Sequence, residues 1–484
     1  MRLNTAITLL ARTRLITWIL FAFVTIGVIY SVTVPSWEAP DEFDHFLYAL
    51  FIRTQHALPV QSADNVATSH HPPLYYLLAA AISLPVDAHD TTGTFHGNPG
   101  FLFGTHGGHD LNLHQLSTAD TFPYTGMALA LHLMRWLSLV FGAGTVWLTY
   151  KLAQELLPER ENVAWFATAL VAFNPQFLFI SASALNDTLV VLAATGLFLQ
   201  LARSMQQPCR WQHWFGVGLW LSTAAMSKIS GVALIPIAGL AVLISAYRHR
   251  SIKLLAQAGL AVAIPVTILT GWWFIRIWLL YADVLGMTAW LHHFRGAIRT
   301  QPIDWGQTFL QQLRSAWGIF GWMTVAAPEW FHYSIWMLLG LAAVGLVFYA
   351  LKQFNRNAPG GSFEAWRMLG CASLVLYQQG LMIRENLLWI TASQGRYLFP
   401  VIAPAMILVS LGLVTLIPRQ FTKIMLGTIS LALLGGSIFM PLAVIGPNYH
   451  MRYTLPKSHL WSVHHEIVVT TSVVRAKQRP KPVL

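Results

Sequence analysis

The chain is a succession of long apolar runs broken by short polar segments, and the length of the runs decides what they are. A helix needs about 20 predominantly apolar residues to cross a bilayer. Leu15–Val34 is the first such run, and others lie at Tyr124–Tyr150, Val163–Ile180, Thr188–Leu201, Leu254–Tyr281, Ile335–Leu351, Met368–Trp389, Phe399–Ile417 and Ile424–Ile445. Trp211–Tyr247 reads as a hairpin of two short helices around Ser227–Ser230. Together these predict an all-α polytopic integral membrane protein with about eleven transmembrane helices. Arg2, Arg12 and Arg14 precede the first run and no small-residue cleavage site follows it, so it reads as an uncleaved anchor leading from the cytoplasm outward.

Between the first two runs the period changes. From Asp41 onward Phe43, Phe46, Leu47, Leu50 and Phe51 recur at spacings of three and four, while Asp41, Asp44, His45 and Tyr48 fall on the other face. That pattern predicts an amphipathic helix lying in the membrane interface, and Pro40 stops it from extending backwards. Pro72–Val86 is apolar but too short to span, which fits a second interfacial helix. Asp87–Phe122 is a polar loop rich in Gly, His, Asn and Thr. The organisation is then a cytoplasmic start at 1–14, a membrane domain at 15–445 and a tail at 446–484. Outer segments fall at 35–123, near 181–187 and at 283–330. With that count the tail lies outside, yet it carries Arg475, Lys477, Arg479 and Lys481, against the positive-inside bias.

Composition agrees with the pattern: 55% of residues are hydrophobic and only 10% charged. The net charge of +11 does not point to nucleic acid, because the basic residues sit in short loops between apolar runs, where the positive-inside rule accounts for them. The two cysteines, Cys209 and Cys371, both fall near the cytoplasmic side, so no disulfide framework is expected. The 20 tryptophans suit interfacial belts and carbohydrate or prenyl surfaces alike.

Acid is scarce, so the clustering of Glu38, Asp41, Glu42 and Asp44 just after the first span asks for a reason. Ionisable residues near a bilayer are costly, and those on the outer side that no cytoplasmic loop explains include Asp41, Glu42, His71, Asp187, Lys228, Arg276, Arg384 and Arg396. Carboxylates among several cations on one membrane face suit activation of a hydroxyl nucleophile beside an anionic leaving group. Each residue also has a plainer reading. Asp41 is either a general base or an N-cap, and Asp187 is either part of the site or a cap of the helix that follows it. Arg396, between Gln394–Gly395 and Tyr397, is either a site residue or an interfacial anchor. Lys228 and Arg276 either snorkel or contact phosphate. His70 and His71 read as polar lining, and His106 with His109 is a weak HxxH metal pattern lacking a carboxylate.

The segments WEAPDEFDHF, HHPPLYYLL, NPQFLFISASALNDTLVV, GWWFIRIWLLYADVLG and QGRYLFPVIAPAM, in that order from Trp37 to Met406, resemble the GT-C superfamily of membrane glycosyltransferases. That group includes the protein O-mannosyltransferases and lipid A aminoarabinose transferases, and the chain looks closest to bacterial phospholipid-carrier-dependent, RgtA/B/C/D-like glycosyltransferases. The resemblance implies a GT-C fold with interfacial helices in a long first outer loop. It also implies a polyprenyl-phosphate-linked sugar as donor and a glycan, lipid or protein hydroxyl as acceptor. Transfer would be inverting, in the bacterial cell membrane with the site on its outer face. Asp41 matches the family's catalytic base, Asp187 its second acidic position, and Arg396, beside Tyr397, the arginine placed for the leaving phosphate. Glu42, His71, Lys228 and Arg276 complete the expected substrate-binding set. His71 departs from the pattern, since relatives often carry Lys before Pro-Pro-Leu; Lys228 and Arg276 are then expected to supply more of the positive charge. Relatives with monosaccharide donors generally work without metal, so a divalent cation is left open and not favoured. The large soluble domain of several relatives is not expected in residues 451–484, which are too few to fold as one. Acceptor recognition would then fall to the first loop and to Asp283–Trp330.

Two alternatives are a lipid-linked glycan ligase or polymerase, with the same cavity and a larger acceptor, and, from a different class, a transporter or flippase of polyprenyl-linked sugars. A transporter would carry its ionisable residues near the bilayer midplane, whereas here they stand at span ends, which favours the enzyme.

Overall fold

The apolar runs fold as helices packed side by side, in a computed structural model that describes residues 2–61, 68–101, 111–293, 298–354, 361–390 and 393–450. In chain order the helices are α1 (Arg2–Thr33), α2 (Glu42–Gln55), α3 (Leu74–Ile82), α4 (Gly126–Leu156), α5 (Glu161–Ala172), α6 (Pro175–Ser181), α7 (Asp187–Gln206), α8 (Trp211–Ser227) and α9 (Ile235–Arg248). They continue with α10 (Ile252–Tyr281), α11 (Met287–His293), α12 (Trp305–Ser315), α13 (Glu329–Phe354), α14 (Gly361–Leu388), α15 (Ile402–Leu416), α16 (Thr422–Phe439) and α17 (Gly446–His450). A two-stranded antiparallel ribbon, β1 (Ile319–Phe320) with β2 (Val325–Ala326), interrupts the helices between α12 and α13.

Among the described residues, eight helical segments are long and apolar enough to cross a membrane: Arg14–Thr33, Gly126–Leu156, Asp187–Gln206, Ile229–Arg248, Ile252–Tyr281, Glu329–Gln353, Gly395–Leu416 and Thr422–Tyr449. The pair α5 and α6, bent by 60°, makes nine if it counts as one span. The bend has a local cause. Asn174 accepts hydrogen bonds from the Gln176 and Phe177 amides, and Pro175 occupies the first helical position, so one helix ends and another starts there. The expected count of eleven is not reached by length and composition. The difference lies in α8, only 17 residues long, and in α14, whose apolar run is interrupted by Gln378 and Gln379. The C-terminal tail and its basic residues lie outside the described residues.

The helix expected after Asp41 forms as α2, but it buries polar positions beside apolar ones instead of setting the two faces apart. Its polar positions Glu42, His45 and Tyr48 are buried together with Phe46 and Ala49. The His45 Nδ1 lies 2.8 Å from the Tyr76 hydroxyl of α3, and the Tyr48 hydroxyl donates to the His71 carbonyl at 3.2 Å. Tyr48 and Tyr76 stack at 3.8 Å. The polar face is thus turned inward because it has partners there, and α2 and α3 form a lid on one end of the bundle.

What fixes the lid is Arg135, in the first half of α4 and 0% exposed. Its Nε and Nη2 donate to the two oxygens of Glu42, at 2.9 and 2.7 Å. Nη1 donates to the carbonyls of Ser31 and Val34, both at 2.7 Å, and Nη2 also donates to Pro35 at 2.8 Å. Glu42 in addition accepts the Ala184 amide at 2.9 Å, so the pair ties the end of α1, the start of α2, α4 and the α6–α7 turn at one point. The chain it holds is unusual: Trp37 and Asp41 both have positive φ, 70° and 62°. A non-glycine residue in that region costs on the order of 1–3 kcal/mol and persists where surrounding contacts over-determine it.

Removing one member of a buried pair leaves an uncompensated charge, at a cost of about 3–5 kcal/mol. Arg135→Leu is therefore expected to lower the melting temperature in detergent markedly. The double variant Glu42→Leu/Arg135→Leu should recover part of the loss, which a melting curve of the three proteins checks.

Candidate active site

Asp41 is the residue before α2, but its carboxylate makes no capping bond to that helix. Its left-handed backbone aims the side chain across the bundle, where the Arg396 Nη2 donates to Asp41 Oδ2 at 2.5 Å, across 355 residues of sequence. Asp187 opens α7 behind Asn186, and its side chain likewise turns away from the helix end. Lys228 Nζ donates to Asp187 Oδ1 at 2.7 Å, and Arg396 Nη1 stands 3.6 Å from Oδ2. Arg396 thus bridges two carboxylates that the starts of α2 and α7 bring to one end of the bundle.

Each cation is presented by a break in helical structure. Lys228 ends α8 in an extended conformation (φ −153°, ψ 144°). Arg396 lies in the 3-10 turn Gly395–Val401 that precedes α15. The Tyr397 ring lies 5.5 Å from the Lys228 ammonium and 5.0 Å from the Arg396 guanidinium, and its hydroxyl accepts from Arg396 at 3.3 Å. Such ring contacts favour a desolvated cation. Gln378 of α14 holds the turn by donating to the Tyr397 carbonyl at 2.7 Å.

The four side chains are not equally accessible. The Arg396 side chain is 3% exposed and that of Asp187 is 7%, whereas Asp41 is 38% exposed, so Asp41 is the carboxylate a ligand meets first. Partial burial works to raise its pKa, but the Arg396 charge, with His45 and Lys228 behind it, prevails and holds the carboxyl below its ordinary value. His45, one turn on from Asp41, is pushed down to about 4 by burial despite the neighbouring carboxylates, and is neutral at pH 7. Asp44 moves the other way, up to about 7, through burial and the adjacent Asp41 charge.

His71 is half-buried and stacks on His45 with ring centres 6.4 Å apart. Burial first, and then the neighbouring His70 and Lys228, keep its pKa well below the usual value, so it lines the site as a neutral ring. Arg276 does not join the cluster directly: its Nη2 donates to the Leu58 and Pro59 carbonyls, both at 3.1 Å, and staples the chain after α2 to α10. Glu42, expected among the substrate-binding groups, is sealed by Arg135 and the Ala184 amide and is 0% exposed, which makes it part of the scaffold. Arg384 is exposed and pairs with its neighbour Glu385. Arg299 binds the Asn386 carbonyl, and Arg314 pairs with Glu329, while Arg295 lies outside the described residues. So do His106 and His109. Among the described residues no group of three His, Cys, Asp or Glu is placed to hold a metal ion.

Three contributors were not singled out from the sequence as site residues. Asn186 donates to the Tyr76 hydroxyl and to the Ser227 carbonyl, both at 3.2 Å, and so fixes the turn that presents Asp187 beside the end of α8. Tyr76 joins Asn186 to His45. His45 itself carried a signal, since it stands four positions after Asp41 on the same helical face.

Residues 120–301, a little over a third of the chain, match the family model described as dolichyl-phosphate-mannose-protein mannosyltransferase. No curated protein matches the chain by sequence. Among solved structures it is similar to ArnT from Cupriavidus metallidurans bound to undecaprenyl phosphate, at 13% identity and a TM-score of 0.45 over 86% of this chain and 63% of that one. The chain is also similar to the arabinofuranosyltransferase AftD from Mycobacteria, with 12% identity, a TM-score of 0.46 and coverage of 91% and 28%. An oligosaccharyltransferase from Archaeoglobus fulgidus has 10% identity and a TM-score of 0.42, with coverage of 89% and 54%. The chain thus spans less than two thirds of the length of each of these three proteins. The matched family region contains Asp187, Lys228 and Arg276, and Asp41 and Arg396 lie on either side of it.

Behind the site, Glu38 is fully buried and accepts the Leu113 amide at 3.0 Å and the His114 amide at 2.9 Å. Burial pushes its carboxyl up to about 8, against the pull of those two amides. The folded chain therefore keeps a proton that the unfolded chain releases above about 4.5, and the fold weakens as pH rises from there through about 8. Glu38→Gln is expected to flatten this dependence: between pH 5 and pH 8 its melting temperature should fall less than that of the wild type.

Proposed function

We propose that the protein is an inverting glycosyltransferase that moves a monosaccharide from a polyprenyl-phosphate carrier to an acceptor hydroxyl on the outer face of the membrane. The observation that carries this reading is the joining of Asp41 and Asp187 through Arg396, with Asp41 left open beside it. An open carboxylate next to buried cations is what a hydroxyl nucleophile and a phosphate leaving group require together. The family matched over residues 120–301 is named for dolichyl-phosphate-mannose, a lipid-phosphate sugar, and supports the same chemistry. The basic residues ahead of the first span support an outward-facing site.

In this mechanism Asp41 accepts the proton of the acceptor hydroxyl as its oxygen bonds to the anomeric carbon. The bond between that carbon and the carrier phosphate oxygen breaks, and its electron pair stays with the phosphate. Arg396 and Lys228 stabilise the charge that develops there, and Asp187 holds both cations in place. Their contact with Asp41 and Asp187 in the free protein is also a control. While Arg396 pairs with Asp41 the carboxylate is a weak base, and a phosphate that draws Arg396 toward itself restores basicity to Asp41. Lys228 takes the place that a lysine at position 71 would fill, because His71 is neutral, and Arg276 orders the wall beyond it. The cations that pair the two carboxylates balance the charge a divalent ion would otherwise balance, so this reading does not favour a metal. The acceptor is a glycan, lipid or protein hydroxyl bound against the lid formed by α2 and α3.

The purified protein with a polyprenyl-phosphate sugar tests this. Asp41→Asn is expected to lower sugar release and transfer by about 10²–10⁴-fold while the melting temperature stays near that of the wild type, and a chelator should leave the wild-type rate unchanged. Undiminished transfer by a folded Asp41→Asn protein overturns the base assignment. Movement of the lipid between leaflets with no cleavage overturns the enzyme reading itself.

A further inference from the structure

Helix α12 (Trp305–Ser315) has three faces, and the wrong one is inside. Its buried residues are polar: Thr308, Gln312 and Ser315. Its apolar residues, Trp305, Phe309, Leu310 and Leu313, are between 36% and 42% exposed and form one continuous stripe. Trp305 and Phe309 stack along it with ring centres 5.7 Å apart. Gln307, Gln311 and Arg314 make the third face, opposite the stripe.

The polar inner face is committed to the site. The Gln312 amide donates to Gln379 Oε1 of α14 at 3.1 Å, and the Ser315 hydroxyl accepts the Gly395 amide at 2.8 Å. The approach is so close that a Cβ on Gly395 would lie 2.2 Å from the Ala316 nitrogen and 2.5 Å from the Gln312 carbonyl oxygen. Gly395 is the residue before Arg396, so α12 sets where the bridging guanidinium begins.

Two contacts give the height of α12 along the bundle. Gly395 is the first residue of the span Gly395–Leu416, and Arg314 pairs with Glu329, the first residue of the span Glu329–Gln353. Both place α12 where spans leave the hydrocarbon. Exposed Trp330 and Tyr333 in the first turns of α13 mark the same boundary, as interfacial aromatics do. An exposed apolar stripe at this level, set against a glutamine-rich face, has the pattern of a helix lying in a lipid interface.

We propose that α12 is seated in the boundary between lipid headgroups and acyl chains through Trp305, Phe309, Leu310 and Leu313, and that from this seat its polar face positions Gly395 and Arg396. The occupant of the stripe is the lipid surface itself. Gln312 and Ser315 are positioning residues that act through the turn they hold. The inference concerns membrane contact and stands independently of the reaction proposed above.

The test uses the full chain in lipid nanodiscs, with Cys209→Ser and Cys371→Ala as background and an environment-sensitive fluorophore on Phe309→Cys, Leu313→Cys or Gln311→Cys. Labels at 309 and 313 are expected to be quenched by shallow spin-labelled lipid about threefold or more above the label at 311, which iodide in water should quench instead. Iodide quenching at 309 and 313 equal to that at 311 overturns the proposal. Protection of both from lipid and iodide also overturns it, since protein then covers the stripe. The positioning half is read by amide exchange. Ser315→Ala is expected to speed exchange across residues 395–401 by about tenfold, with α7 unchanged and lipid quenching at 309 unaltered. Unchanged exchange across 395–401 overturns that half.

Discussion

The site depends on one buried guanidinium that takes no part in it. Arg135 gathers three carbonyls from the end of α1 and its following turn, together with the Glu42 carboxylate, and so determines the path of the chain from Trp37 to Asp41. Without that anchor the left-handed conformation of Asp41 has no support, and the carboxylate has a simpler place to go, the amides of the helix it precedes. The long apolar helices supply a frame with polar groups at its end. Arg135 converts a loop that would cap a helix into a loop that presents an acid.

Much of the membrane architecture was legible because a bilayer imposes a length and a composition that few other environments impose. What was lost was lost for physical reasons. The expected eleven spans included α8 and α14, and α14 departs from an apolar run because Gln378 and Gln379 are used by the turn bearing Arg396 and by α12. For α2 the period located the helix, but an amphipathic pattern does not tell which face has partners. His45 and Tyr48 are inside because Tyr76 and the His71 carbonyl wait for them.

In the site, Asp41, Asp187, Lys228 and Arg396 were legible as scarce charges at the ends of spans, and the structure brings these four together. Glu42 was legible as an acid but not as a scaffold group, since its partner lies 93 residues away. Arg135 carries a plain signal, an arginine inside the apolar run between Met134 and Trp136, a place where a charge nearly always has a specific partner. Arg276 divides its guanidinium: Nη2 is engaged by backbone carbonyls that no side-chain pattern announces, while Nη1 is buried without a hydrogen-bond partner.

The quartet of Asp41, Asp187, Lys228 and Arg396 has an electrical consequence. Two carboxylates balance two cations, so these four groups together carry no net charge. A neutral cluster casts little field into solution and does not concentrate small anions at its mouth. Free phosphate gains little by drifting in, because Lys228 and Arg396 each already have a carboxylate. An anion gains entry only if another part of the same molecule supplies the binding energy, as a long apolar tail laid among the helices does. On the reaction proposed above, selectivity for a lipid-borne anion would then reside in the neutrality of the quartet as much as in any contact it makes.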